Sequence, residues 1–164
     1  MKRLILMRHA KSDWFTDAAE DYDRPLNDRG RRDAPRIGKW LRDNDYLPDM
    51  VLCSSAARTR ETLALTGIEA ETEFMPSLYH APANRMLDIL RYDAKDDTVM
   101  LIGHNPGISG FAQNILASPP ADRKFYQYPT AATLIADFDL NDWSDVNWGT
   151  AQLVDFVYPK ALPG

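Results

Sequence analysis

Cysteine is almost missing from this sequence: Cys53 stands alone among 164 residues, so no intramolecular disulfide can form and a small disulfide-stapled fold is excluded. A chain that does without oxidative cross-links suits a reducing compartment, and a cytoplasmic location is expected. Long apolar runs are missing as well. Met1-Lys2-Arg3-Leu4-Ile5-Leu6-Met7 sets positive charge before apolar residues, as a secretory leader does, yet the apolar run is four residues long and ends in Arg8-His9. That is too short for a signal core or a membrane span, so the segment reads as a first strand and no membrane association is expected. There is no excess of positive charge: 19 Lys and Arg against 24 Asp and Glu leave a formal charge of −5, which argues against a surface built to neutralise nucleic-acid phosphates. Low-complexity tracts are also absent, and a composition 45% hydrophobic and 26% charged is that of an ordinary globular enzyme. A chain of this length can bury one core, and one domain spanning residues 1–164 is expected.

What is there alternates between continuous apolar runs and helical periodicity, the pattern of a largely parallel sheet with crossover helices. Strands are predicted at Lys2 to Met7, Met50 to Cys53, Thr72 to Met75 and Thr98 to Ile102, with two closing strands at Ala131 to Phe138 and Ala151 to Val157. Between them, Asn27 or Asp28 can cap a helix reaching Asn44, a second helix runs from Ala56 to a Gly67 cap, and Pro82 suits the first turn of a third. Ile108, Phe111, Ala112 and Ile115 mark a fourth. The fold class is therefore α/β, a three-layer α/β/α sandwich with a mainly parallel central sheet. On the first helix Arg29, Arg32, Arg36 and Lys39 share one side; a solvated face is the plain reading, and a docking patch for an acidic partner the alternative.

Three histidines are few enough to take singly. His9 and His104 each follow a predicted core strand, at the sheet edge where open α/β folds bind ligands. His104 sits in Gly103-His104-Asn105-Pro106-Gly107 at a helix start, whose free N–H groups suit an anion. A third strand end carries Ser54-Ser55-Ala56-Ala57-Arg58, so Arg58 opens a helix beside the same edge. The guanidinium fork of Arg8 or Arg58 matches phosphate oxygens, and a neutral imidazole between such charges can attack phosphorus and hold it.

These residues, read as Leu6-Met7-Arg8-His9-Ala10-Lys11-Ser12, then Arg24-Pro25-Leu26-Asn27-Asp28-Arg29-Gly30, Cys53-Ser54-Ser55 with Arg58 and Arg60-Glu61-Thr62, Leu78-Tyr79, and Gly103-His104-Asn105, resemble the histidine phosphatase superfamily. Five blocks in the right order span most of the chain. The short path from Thr62 to Gly103 is similar to the SixA branch, which acts on phosphohistidine in signalling proteins. The resemblance implies the phosphoglycerate mutase-like fold, His9 as phosphate acceptor, Arg8, Arg58 and His104 as the phosphate pocket, Asn105 and Ser12 as further substrate contacts, and Ser54 as a strand-end residue nearby. It implies no cofactor and no metal. Many members carry a glutamate as general acid shortly after Leu78, where this chain has His80; imidazole can do that work near neutral pH. Mutases commonly carry asparagine after Trp14, where Phe15 stands here, which leans away from a mutase.

Other residues read more plainly. Asp13, Asp17, Glu20, Asp21 and Asp23 lack the spacing of a calcium loop and are expected in a solvated loop near the site. Arg60 and Glu61 read as a solvated helix pair, and the four tryptophans as core or hairpin anchors. The partner is expected to be a phosphorylated protein or a small phosphate ester, with the chain a monomer or weak homo-oligomer. Two rivals stay open: a small-ester phosphatase or mutase, and a phosphate-recognition module without turnover.

Overall fold

The computed structural model describes residues 1–163. Its frame is a six-stranded sheet made by β1 (Lys2–Arg8), β2 (Met50–Ser54), β3 (Glu71–Met75), β4 (Thr98–Gly103), β5 (Thr133–Phe138) and β6 (Gln152–Val157). Their order in space is β3-β2-β4-β1-β5-β6. The first four strands are parallel, and β5 and β6 add antiparallel pairings on one side.

Because side chains alternate along a strand, β1 sends Leu4 and Leu6 to one face and Ile5 and Met7 to the other, all fully buried. The helices α1 (Asp28–Asp43) and α2 (Ala57–Thr66) cover the second face with Ile37, Leu41 and Leu63. The first face is covered by α3 (Ala83–Asp93) and α4 (Gly107–Ile115) through Met86, Leu90, Phe111 and Ile115. Side chains of this size contribute roughly 1.5–3 kcal/mol each when fully buried. The result is the α/β/α sandwich the apolar pattern implied. No helix is long and apolar enough to cross a membrane among the described residues.

Caps and turns explain the boundaries. The Asn27 side chain accepts from Gly30 N at 2.9 Å and starts α1, while Gly67 ends α2 in the left-handed region at φ 73°. Pro82 stands just before α3 rather than within its first turn. β5 begins two residues later than the apolar pattern suggests, because Ala131 takes φ 64° and turns its N–H to the His9 carbonyl at 3.0 Å. A four-residue helix, α5 (Lys124–Gln127), carries no apolar periodicity that would announce it.

The basic face of α1 is not wholly solvent: the Arg36 guanidinium donates to the carbonyls of Pro159 and Leu162 at 3.2 and 3.4 Å, clamping the last turn of chain. Glu61 pairs elsewhere than with its neighbour Arg60, whose guanidinium lies over the Phe74 ring. Its carboxylate accepts from Leu26 N at 2.9 Å and Arg31 Nε at 2.8 Å, tying α2 to the loop before α1. Of the tryptophans, Trp143 is a core anchor, with its indole N–H on the Asp96 carbonyl at 2.7 Å, but Trp14 is 67% exposed.

Candidate active site

The parallel register brings the two strand-end histidines together. β1 and β4 are neighbours with Arg8 opposite Gly103, so His9 and His104 leave the sheet side by side, ring centroids 5.3 Å apart. The helices that follow these strands, α1 and α4, cover opposite faces, and a crevice opens where the connections part. His9 is held on both sides of its backbone, its N–H on the Gly103 carbonyl at 3.1 Å and its carbonyl on Ala131 N at 3.0 Å. Thr62 fixes the next residue, accepting from Ala10 N at 3.0 Å while donating to the Arg58 carbonyl.

A hydrogen bond settles the tautomer of His9. His9 Nδ1 lies 2.7 Å from the Ala10 carbonyl; a carbonyl only accepts, so Nδ1 carries the hydrogen and Nε2 keeps its lone pair. Burial holds the pKa of His9 well below 6.5, the Ala10 bond opposing and His104, Arg8 and Arg58 reinforcing. His104 Nε2 lies 2.8 Å from Ser54 Oγ, which itself accepts from Ala56 N at 3.3 Å. His104 Nδ1 is buried and without a partner; with the Ser54 hydrogen on Nε2 it carries the ring's hydrogen. Burial, then the charge of Arg58, pushes the His104 pKa down to about 3.

Two more donors are in the same condition. Arg8 Nε and Arg58 Nε are buried and unpartnered, although Arg8 Nη1 reaches the Tyr128 carbonyl at 3.1 Å. Unpartnered nitrogens on Arg8, Arg58 and His104, three residues that line one cavity with His9, suit an oxyanion. The cavity holding them, about 230 Å³, is lined by all seven residues singled out in the sequence: Arg8, His9, Ser12, Arg58, His80, His104 and Asn105.

Their parts differ once placed. The Asn105 amide donates to the Gln127 and Tyr128 carbonyls at 3.0 and 3.1 Å and accepts from Ser109 N at 3.2 Å, so it holds α5 to α4 and both its N–H donors are engaged. The Ser12 hydroxyl is taken by Arg24. His80 is half exposed, sits at φ 54° in a region that costs most residues energy, and puts Nε2 3.2 Å from Asp21 Oδ2.

Lys11, Trp14, Asp21 and Arg24 line the same cavity without having been singled out. Arg24 is buried between the Ser12 hydroxyl and the face of Trp14, its guanidinium carbon 3.6 Å from the ring centroid. Asp21 leaves the solvated acidic loop to reach Arg24, Arg58, Tyr79 and His80. Its partial burial disfavours charge, but the bonds from Tyr79, Arg24 and Arg58 outweigh that and hold its carboxyl far below the usual carboxylate range. Arg24 and Tyr79 stood in the quoted motifs; nothing local marked Asp21 apart from its acidic neighbours.

Paired histidines at the carboxyl ends of the two central strands, with Arg8 beside one and Arg58 in the helix after β2, make an α/β sandwich with a site suited to an anion, and comparison with known proteins narrows the class. Residues 4–80 match the profile of the histidine phosphatase superfamily (branch 1). An uncharacterized protein of Mycobacterium tuberculosis is 40% identical over 161 residues, 94% of this chain and 100% of the relative. The candidate phosphohistidine phosphatase SixA of Nakamurella multipartitia superposes with a TM-score of 0.85 at 30% identity, over 98% of this chain and 97% of that one. Its counterpart from Agrobacterium tumefaciens gives 0.79 at 28%, over 96% and 98%. The chain belongs to the histidine phosphatase superfamily and is of the SixA type.

Proposed function

We propose that the chain is a cytoplasmic phosphatase that carries phosphate transiently on His9 and removes it from phosphohistidine on a signalling or phosphotransfer protein. One observation carries this: His9 presents an unprotonated Nε2 in a cavity that it lines together with Arg8, Arg58 and His104, each of which has a buried nitrogen without a partner. Nε2 attacks phosphorus, the bond to the leaving nitrogen breaks, and the three donors meet the charge on the transferring oxygens. His80, on the cavity rim, supplies a proton to the leaving group. Water then attacks the phosphohistidine, giving orthophosphate and restoring the imidazole. Charge is met by side chains throughout, so the reading calls for no metal. The small size and the similarity to SixA proteins favour phosphohistidine as substrate. Trp14 in the cavity lining and Phe15 next to it in the chain, 67% and 98% exposed, suit a protein surface.

The contact between His80 and Asp21 favours a second reading, a small phosphate ester, because an alkoxide leaves only with a proton donor at hand. The test is phosphate release from a phosphohistidine-bearing protein and from a panel of esters, by the wild-type chain and His9→Ala. Release from the protein that vanishes in the variant is the expected result. Release from esters alone moves the substrate to the second reading, and release from neither leaves a pocket that only binds phosphate.

A further inference from the structure

Five donors converge on the Asp21 carboxylate. On Oδ2 they are Arg58 Nη2 at 3.0 Å, the Tyr79 hydroxyl at 2.6 Å and His80 Nε2 at 3.2 Å; on Oδ1, Arg24 Nη2 at 3.0 Å and Nε at 3.2 Å. Arg58 Nη1 donates to the main-chain carbonyl of the same residue at 2.8 Å. Residue 21 thus takes one hydrogen from each terminal nitrogen of the guanidinium that the proposed function assigns to the phosphoryl group, and Nε is buried without a partner. Among the side chains lining the cavity, Asp21 is the one carboxylate, set among Arg8, Lys11, Arg24 and Arg58.

We propose that Asp21 is an internal anion of the empty site: its carboxylate satisfies Arg58 until phosphate arrives, and phosphate binds by taking Arg58 Nη2 from it. The arrangement allows that exchange without moving α2, because the bond from Nη1 to the Asp21 carbonyl keeps the guanidinium in place when the carboxylate lets go. Arg24 is itself anchored by Ser12 and Trp14 and retains Oδ1, so the negative charge stays beside the phosphoryl group. The site thereby discriminates against tight retention of its anionic product. Asp21 acts through Arg58 and is a positioning residue; the inference rests on Arg58 being a phosphate ligand.

Orthophosphate binding by titration calorimetry at pH 7 tests this on wild-type chain and Asp21→Asn. The variant is expected to bind at least about tenfold more tightly, since a unit negative charge a few ångströms away in a partly buried site has been removed. Damage to the site would do the reverse, so unchanged or weaker binding by a folded variant overturns the proposal. If the wild-type chain binds no orthophosphate, the reading of Arg58 falls, and this inference with it. Should Asp21→Asn fail to fold, a crystal structure of the wild-type chain with orthophosphate decides. Arg58 Nη2 on a phosphate oxygen and off Asp21 Oδ2 is expected; Nη2 still on Asp21 with phosphate in place overturns it.

Discussion

Phosphoryl transfer to His9 as proposed needs neutral imidazoles, and burial beside arginine supplies them: His9 and His104 both lose their charge well below the ordinary histidine range. Neutrality alone does not say which nitrogen is free; a backbone carbonyl decides that for His9, while His104 is oriented by the contact of its Nε2 with the Ser54 hydroxyl. Ser54→Ala should therefore lower kcat/KM by about tenfold or more, the range typical when a partner orienting a site side chain is lost, while far-UV circular dichroism stays unchanged. Activity equal to wild type would remove Ser54 as the residue that orients His104. Cys53, one residue earlier, is the contrasting case, since burial pushes its thiol up to about 12 and leaves it unreactive. At this scale Arg8, His9, Arg58 and His104 were legible because each follows a core strand directly or opens the helix after one. Asp21 was not, because a carboxylate among four other acidic residues has no local mark, and its four partners come from positions 24, 58, 79 and 80.

Elements meet closely around the cavity, and glycine makes two of the meetings possible. A Cβ on Gly107, the first residue of α4, would run into the Ala81 carbonyl, and one on Gly30 in α1 into the Lys11 carbonyl. These contacts bring α4 against the turn that carries His80, and α1 against the loop that follows His9. Gly107→Ala gains helix propensity worth about 1 kcal/mol, but the neighbour is backbone that cannot rotate away, and overpacking costs roughly 1–3 kcal/mol. A lower melting temperature is expected, together with a larger fall in turnover of poor leaving groups than of nitrophenyl phosphate, since the His80 turn must shift. A stabilised variant with unchanged selectivity would show that the turn yields freely. The strands and long helices were legible from apolar period and caps. The late start of β5 and the helix α5 were not: Ala131 leaves the strand to bond the His9 carbonyl, and α5 is held by Asn105 and Tyr128 rather than by a periodic apolar face.

The whole molecule carries −5 and yet gathers four basic side chains around one cavity, so its local field opposes its net charge and draws anions to that spot. Burying neutral histidines also makes stability depend on pH. His104 has a folded pKa of about 3 against about 6.5 in an unfolded chain. Between those values the unfolded chain binds a proton the folded one refuses, so stability is complete above pH 6.5 and is lost as pH falls toward 3; His9 adds in the same direction. Melting temperature should drop between pH 7 and pH 4.5, and His104→Gln should flatten that slope, as thermal denaturation by circular dichroism would show. The window lies above the usual carboxylate range, so Asp21 does not contribute to it. A variant with the wild-type slope would contradict the burial argument.

Sequence by itself determined the sheet-and-helix order, the strand ends where His9, Arg58 and His104 emerge, and the resemblance that named a phosphoryl chemistry, because apolar period and motif are properties of neighbouring residues. Tertiary structure alone decided the register that sets His9 against His104, the contact of His104 with Ser54, and the capture of Arg58 by Asp21, because hydrogen bonds between residues far apart in the chain exist only once the layers have packed.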